Sequence, residues 1–194
     1  MPDAELQLAA RAARGDSAAL EVLYRRHVNR VWRYARLRTH SRDDAAEIVQ
    51  ETFLRVTRSI AQFKGQSTFT TWLFAVARSV AIELARREGR NRALIDRSAV
   101  LRLVPRIRKG EGSIPDQETR EAVRRALSQL PGAKRDVVVL CELSGLSVKE
   151  AAGVLQWSES RVKVTLFRAR RDLRDRLKEY VAGKPARSLR DKES

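Results

Sequence analysis

The chain has 194 residues, 43% of them hydrophobic, and carries 40 Lys plus Arg against 24 Asp plus Glu, a net charge of +16. That length suits one domain or two small ones, and the apolar content is enough for packed cores, which excludes a disordered chain. The excess of cations calls for a polyanionic partner, nucleic acid ahead of an anionic membrane surface.

No apolar run approaches the roughly 20 residues of a membrane span, and the N-terminus lacks a charged-then-apolar leader, so a cytoplasmic protein without membrane insertion is expected. The single cysteine, Cys141, excludes an intrachain disulfide. With only His27 and His40 beside it there is no set of zinc ligands, and no metal or cofactor is expected. Cys141 reads either as a redox sensor or as apolar packing.

Nearly all hydrophobic periodicity is helical. A first helix over 3–13 stops at Gly15-Asp16, where glycine suits a left-handed C-cap and Asp16 or Ser17 can cap the next helix. That second helix, about 17–38, is expected to bury Leu20, Leu23, Tyr24, Val28, Val31 and Ala35. A turn over Thr39 to Arg42 precedes a third helix from Asp43 to about Ser59. The loop Lys64-Gly65-Gln66-Ser67 then leads into a fourth, Thr68 to about Glu88.

From Gly89 to Ile114 the apolar residues scatter, and Pro105, Gly110, Gly112 and Pro115 punctuate the chain. Between Arg86 and Lys109 stand nine Arg or Lys with only Glu88 and Asp96 as acids. This arm reads as a solvated linker or as a strap along nucleic acid or within a partner's channel, with a short helix over 93–104 left open. Helical patterning resumes past Pro115 to about Val181, and the last dozen residues read as disordered. The expected class is all-α: a domain over 1–88, a basic linker over 89–117, a helix-turn-helix domain over 118–181 and a tail over 182–194.

Asp44, Glu47 and Glu51 share one face of the third helix, opposite Ala45, Ile48, Val49, Thr52, Phe53 and Val56. An acidic face solubilises and favours a helix N-terminus. On so basic a chain it also repels DNA and suits a basic protein partner. In the fourth helix, Phe69, Trp72, Leu73, Val76, Val80 and Leu84 form the core stripe. Thr71 and Arg78 lie off it, within reach of phosphates or base edges. Phe74 and Ile82 are assigned to neighbouring helices, and the Lys64 to Ser67 loop either accepts an unstacked base or simply connects helices.

In the second half, Pro131 suits the start of a helix bearing Val137, Val138, Leu140 and Leu143, broken by Ser144-Gly145. Ser147 and Glu150 form a capping box for the next helix, where Ala151 and Ala152 permit the close approach of a helix-turn-helix. Ser158 or Ser160 caps the last helix, whose core stripe is Val162, Leu166, Ala169, Leu173 and Leu177. Its other side carries Ser160, Lys163, Val164, Phe167, Arg168 and Arg171, cations around apolar groups that suit thymine methyls in a major groove. No nucleophile–base pair or phosphate-cradling glycine motif supports an enzyme. A stand-alone helix-turn-helix regulator remains the rival reading of these residues.

The stretches DDAAEIVQETFLRV (43–56), FKGQSTFTTWLFAVARS (63–79) and LSVKEAAGVLQWSESRVKVTLFRARRDL (146–173) resemble, in that order, the extracytoplasmic-function sigma factors of bacterial RNA polymerase. The resemblance implies a promoter-specificity subunit. Asp44, Glu47, Gln50 and Glu51 would dock on the β′ clamp helices. Lys64, Gly65, Gln66, Ser67, Thr71, Arg78 and Ser79 would read and open the minus-ten element, a flipped base entering the loop. Ser160, Arg161, Lys163, Val164, Phe167, Arg168 and Arg171 would read the minus-35 element, with the β flap packing against the same domain. It also implies an anti-sigma factor as a further partner.

The departures matter as much. Ser79 and Glu83 stand where the family often has Asn and Asp. Gln156 replaces a glycine, Trp157 a small or aliphatic residue, Ser160-Arg161 a Gly-Thr pair and Val164-Thr165 a Ser-Arg pair. The turn must form without its glycine, base preference is not inherited, and Arg161 is a new candidate contact to base or phosphate.

Overall fold

Caps and stop signals in the chain set the helix ends of the computed structural model, which describes residues 2–39, 41–94 and 117–182. Helix α1 (Pro2–Ala13) stops at Gly15, whose φ of +93° favours glycine. Asp16 then caps α2 (Ser17–Arg38), accepting from the Ala19 N–H at 3.0 Å. Ser41 does the same for α3 (Arg42–Ser59), accepting from Asp44 N–H at 2.9 Å. A 3-10 turn over Ile60–Gln62 and the polar loop lead into α4 (Phe69–Leu94). The expected end near Glu88 was too early. Apolar periodicity fades there, but Arg86, Arg87, Arg90 and Arg92 are good helix formers and carry the helix past Gly89.

The first core lies among α1 to α4 and is filled by Leu23, Val31, Tyr34, Ile48, Val56, Phe69, Leu73 and Phe74, all buried. Tyr34 meets Phe74 edge-on with ring centroids 5.7 Å apart. Phe74, off the expected stripe, is fully buried because α4 has neighbours on more than one side. Tyr24 departs from expectation in the other direction. It is 43% exposed, its ring laid edge-on to Phe53 at 4.7 Å on the outer seam of α2 and α3. Helix α1 is pinned across this core by Glu5, which accepts from His27 Nε2 at 2.5 Å and from Thr70 at 3.3 Å. The hydrogen bond from His27 holds the Glu5 carboxyl below its ordinary range.

The second half comprises α5 (Gln117–Ser128), α6 (Gly132–Val138), a π turn over Val139–Leu143, α7 (Val148–Leu155) and α8 (Glu159–Ala182). Pro131 is the N-cap of α6. The capping box of Ser147 and Glu150 opens α7 as expected, and Ser158 rather than Ser160 caps α8. The turn between α7 and α8 forms with Gln156 itself in the left-handed region, φ 55° and ψ 44°. A side chain there costs about 1 kcal/mol or more relative to glycine.

Val137, Val138, Val139 and Leu140 are consecutive and all buried. Four successive residues point around a whole helical turn, so this segment must be covered from several directions. Helix α8 covers one side and α2 of the first half another. The two halves thus share one continuous core, closed further by α7 lying on α4. Here the Cβ that Gly153 lacks would come within 2.8 Å of Thr71 Cγ2.

One carboxylate clasps this seam. Asp136, buried, accepts from Arg38 of α2 and from Arg78 Nε of α4 at 3.4 Å. Nearby, Arg30 donates to the carbonyls of Ser144 at 3.1 Å and Gly145 at 3.2 Å while its guanidinium lies over Phe74. Burial pushes the Tyr34 hydroxyl up to about 12, so it adds no charge beside the clasp.

Residues 95–116, with most of the expected basic arm and of the short helix over 93–104, lie outside the described residues, as do 183–194 of the expected tail. Among the described residues no helix is long and apolar enough to cross a membrane.

Two stability outcomes are expected. Gln156→Gly should raise stability by about 1 kcal/mol through relief of the left-handed turn, read as a higher thermal midpoint. A lower midpoint would mean the glutamine side chain holds the turn. Asp136→Asn should weaken the seam by roughly 1.5–3 kcal/mol, the worth of hydrogen bonds to a charged group. Small-angle scattering would then give a larger radius of gyration at unchanged helicity; an unchanged radius would show that apolar packing alone holds the halves.

Candidate nucleic-acid interface

Helix α8 sorts its charges by side. Beside the core stripe, Arg170 pairs with Glu142, Asp172 with Lys134 at 2.6 Å, and Arg176 donates to Gln129 at 3.1 Å. The hydrogen bond from Lys134 holds the Asp172 carboxyl below its ordinary range. On the opposite side Ser160, Arg161, Lys163, Arg168 and Arg171 are exposed, and none of these four cations has a carboxylate partner among the described residues. Between them stand Val164, 49% exposed, and Phe167, 70% exposed. A Phe left exposed among free cations offers a ligand apolar contact and charge side by side. The structure brings all seven residues expected to read the minus-35 element onto this one face. Trp157 and Arg161, separate departures in the sequence, meet in the fold: the guanidinium of Arg161 lies 3.9 Å from the centre of the Trp157 ring.

Ahead of α4, Lys64, Gly65, Gln66 and Ser67 share one open loop. Gly65 adopts φ +69° close against Leu6 of α1, a conformation that favours glycine. Lys64, Gln66 and Ser67 line a pocket whose floor includes Phe63 and Trp72, their ring centroids 5.3 Å apart. Polar groups at the rim and aromatic faces below are what an unstacked base requires.

The remaining three residues of the expected minus-ten set lie elsewhere. Thr71 is buried against α7, and Arg78 is bound to Asp136 in the seam. Ser79 is exposed and donates to Glu83 at 3.0 Å. The sequence gives no sign that Asp136 and Gly153 would meet these residues, since the contacts span the whole arm.

On α3, Glu47 and Gln50 are exposed, while Asp44 and Glu51 are half-buried. Glu51 accepts from Arg55 at 2.7 Å, and Arg55 also grips both oxygens of Glu83 on α4 at 2.8 and 2.7 Å. The Arg55 hydrogen bonds pull the Glu83 carboxyl down to about 2 and in turn push the guanidinium up. Glu51 is therefore partly engaged in holding α3 to α4. Beside Gln50 runs an apolar groove between α2 and α3, lined by Tyr24, Val28, Trp32, Val49, Phe53 and Leu54. The signal for it was Tyr24, an aromatic assigned to the core that the fold leaves on the seam.

Comparison with known proteins places the chain in a family. Residues 23–91 match the Sigma-70 region 2 family and residues 120–173 the Sigma-70, region 4 family. The chain is 32% identical over 171 residues to the ECF RNA polymerase sigma factor SigE of Mycolicibacterium smegmatis, covering 87% of this chain and 66% of that longer protein. It is 30% identical over 167 residues to the RNA polymerase sigma factor YlaC of Bacillus subtilis, covering 80% of this chain and 90% of that one. Against the ECF RNA polymerase sigma-E factor of Escherichia coli K12 the identity is 28% over 181 residues, covering 90% and 94%. Among solved structures, CnrH in complex with the cytosolic domain of CnrY superposes with a TM-score of 0.71 at 27% identity, covering 91% of this chain and 98% of that one. The sigma factor RpoE of Bartonella quintana, in complex with the anti-sigma factor NepR, shares the fold with a TM-score of 0.67 at 23% identity, covering 81% and 96%. With both regions present in order, and relatives of this kind matched over most of their length, the chain belongs to the extracytoplasmic-function sigma factors of the sigma-70 family, which are promoter-specificity subunits and not enzymes.

Proposed function

We propose that this chain binds core RNA polymerase through α3 and the groove beside it, reads the minus-35 element with α8, and starts melting at the minus-ten element. The observation that carries the reading is the sorting of charge on α8, with the charges beside its core stripe paired and its outward cations free around an exposed Phe167. Phe167 and Val164 would meet thymine methyls while Lys163, Arg168 and Arg171 reach bases and phosphates. The clamp helices of the polymerase would lie in the groove of Tyr24, Trp32 and Phe53, with Glu47 and Gln50 on its flank meeting basic residues. A non-template base of the minus-ten element, once flipped, would enter the pocket of Lys64, Gln66 and Ser67 and stack on its aromatic floor. The chain breaks no bond: binding free energy opens the duplex, and polymerase supplies the nucleotide chemistry.

An anti-sigma factor is a further partner of this reading. CnrH, seen with a domain of CnrY, and the Bartonella sigma factor, seen with NepR, share the fold of this chain.

The test is run-off transcription by bacterial core polymerase on a fragmented genomic library, with and without this protein. New transcripts starting behind a shared two-part motif are expected. Silence, together with tight sequence-specific duplex binding by the protein alone, would favour a stand-alone regulator. Placing positive charge at the two exposed flank positions, Glu47→Lys with Gln50→Lys, should abolish assembly with core polymerase at unchanged helicity; normal assembly would reject this docking face. Arg171→Ala should weaken promoter binding by roughly 1–3 kcal/mol if the guanidinium meets a base. Unchanged binding would remove Arg171 from the interface.

A further inference from the structure

We propose that Trp157 is a positioning residue that fixes the plane of the Arg161 guanidinium for bidentate readout of one guanine at the edge of the minus-35 element. The proposal rests on the reading of α8 as the minus-35 helix. Both residues stand where the chain departs from the family pattern, and the fold brings the two departures into contact. The guanidinium carbon lies 3.9 Å from the ring centre, against 5.6 Å for Arg30 over Phe74 and 5.9 Å for Arg42 over Trp32. At 3.9 Å the cation sits directly on the ring face.

The stack is anchored at both ends. Trp157 packs half-buried against the core and its backbone N–H donates to the Ala152 carbonyl at 3.0 Å. Arg161 lies in the first turn of α8, its own N–H donating to Ser158 Oγ at 3.2 Å. No carboxylate among the described residues pairs with Arg161, so the ring is what holds it.

Stacking occupies the face of the guanidinium and leaves its edge, with the N–H donors, free. A free arginine loses considerable side-chain entropy when it is ordered on DNA, and the ring removes part of that cost beforehand. A phosphate needs mainly positive charge nearby, which Lys163, Arg168 and Arg171 already supply. A fixed plane gives most to a planar partner, and the O6 and N7 acceptors of guanine form that partner in the major groove. The first turn of a recognition helix is also where side chains reach base edges.

The test uses the full-length chain assembled with core polymerase on a promoter recovered by the run-off experiment. Each guanine of the upstream element is replaced in turn by 7-deazaguanine, which keeps pairing and loses the N7 acceptor. For the native chain one position should lower open-complex formation by about tenfold, the discrimination of a single bidentate base contact. Arg161→Ala should erase sensitivity at that position alone. Trp157→Leu, which keeps apolar packing without a ring, should erase most of it, and Trp157→Tyr should retain it.

Full sensitivity in Trp157→Leu would overturn the positioning role. A uniform loss across all promoters with Arg161→Ala, with no guanine position singled out, would make Arg161 a phosphate contact and overturn the guanine assignment. Because Arg161 is exposed, its alanine variant reads the contact even if Trp157→Leu weakens the fold. Failure of the native chain to direct any polymerase-dependent transcription would instead overturn the sigma reading and this proposal with it.

Discussion

Asp136 is a carboxylate removed from water between two arginines of another segment of the chain, and the arrangement of the whole molecule turns on it. A buried carboxylate is tolerable only when its charge and lone pairs are met. Arg38 and Arg78 meet them, and in doing so tie α2 and α4 to the start of the helix-turn-helix half. Around that clasp the apolar run Val137 to Leu140 finds cover on two sides, and Gly153 lets α7 settle onto Thr71. Packing supplies the bulk of the contact and the charges set its register.

Most of the helices were legible because each carries its own punctuation. Asp16, Ser147 and Gly145 are local signals, and their effects are local, so reading them in order recovers the helix ends. The outward face of α8 was legible for a similar reason, since its core stripe fixes which residues remain outside. What escaped were facts that no short window contains. Tyr24 has the right residue type for a core position, yet α3 passes on one flank and leaves it half in water. The run of Val137 to Leu140 reads as an ordinary apolar helix until α2, far away in sequence, is seen to cover it. The fate of Thr71 and Arg78 depends on the same long-range meeting. Gln156 shows the opposite case: the missing glycine was noticed, and the backbone takes the left-handed turn regardless because the flanking helices leave no other path.

The two halves divide their charged groups between structure and surface. Arg55 binds Glu51 and Glu83 to hold α3 against α4, while Glu47 one turn away stays free. On α8 the division runs around the helix, with Arg170 and Asp172 paired beside the core stripe and Arg168 and Arg171 turned out. A strongly basic chain can fold without self-repulsion undoing it when its acids are placed against the cations nearest the core. The remaining positive charge is then displayed where a polyanion can reach it.

That division makes ionic strength act unequally on the molecule. The free cations of α8 stand in solvent, where counterions compete for any polyanion, so their grip falls steeply as salt rises. The Asp136 carboxylate, buried at the seam, is much less open to the same ions. On the proposed reading of α8, added salt would therefore strip a nucleic acid from the outer face well before it loosens the seam. An anion offered to Arg38 and Arg78 at close range would instead compete with Asp136 itself and release the register of the seam while its apolar packing remained.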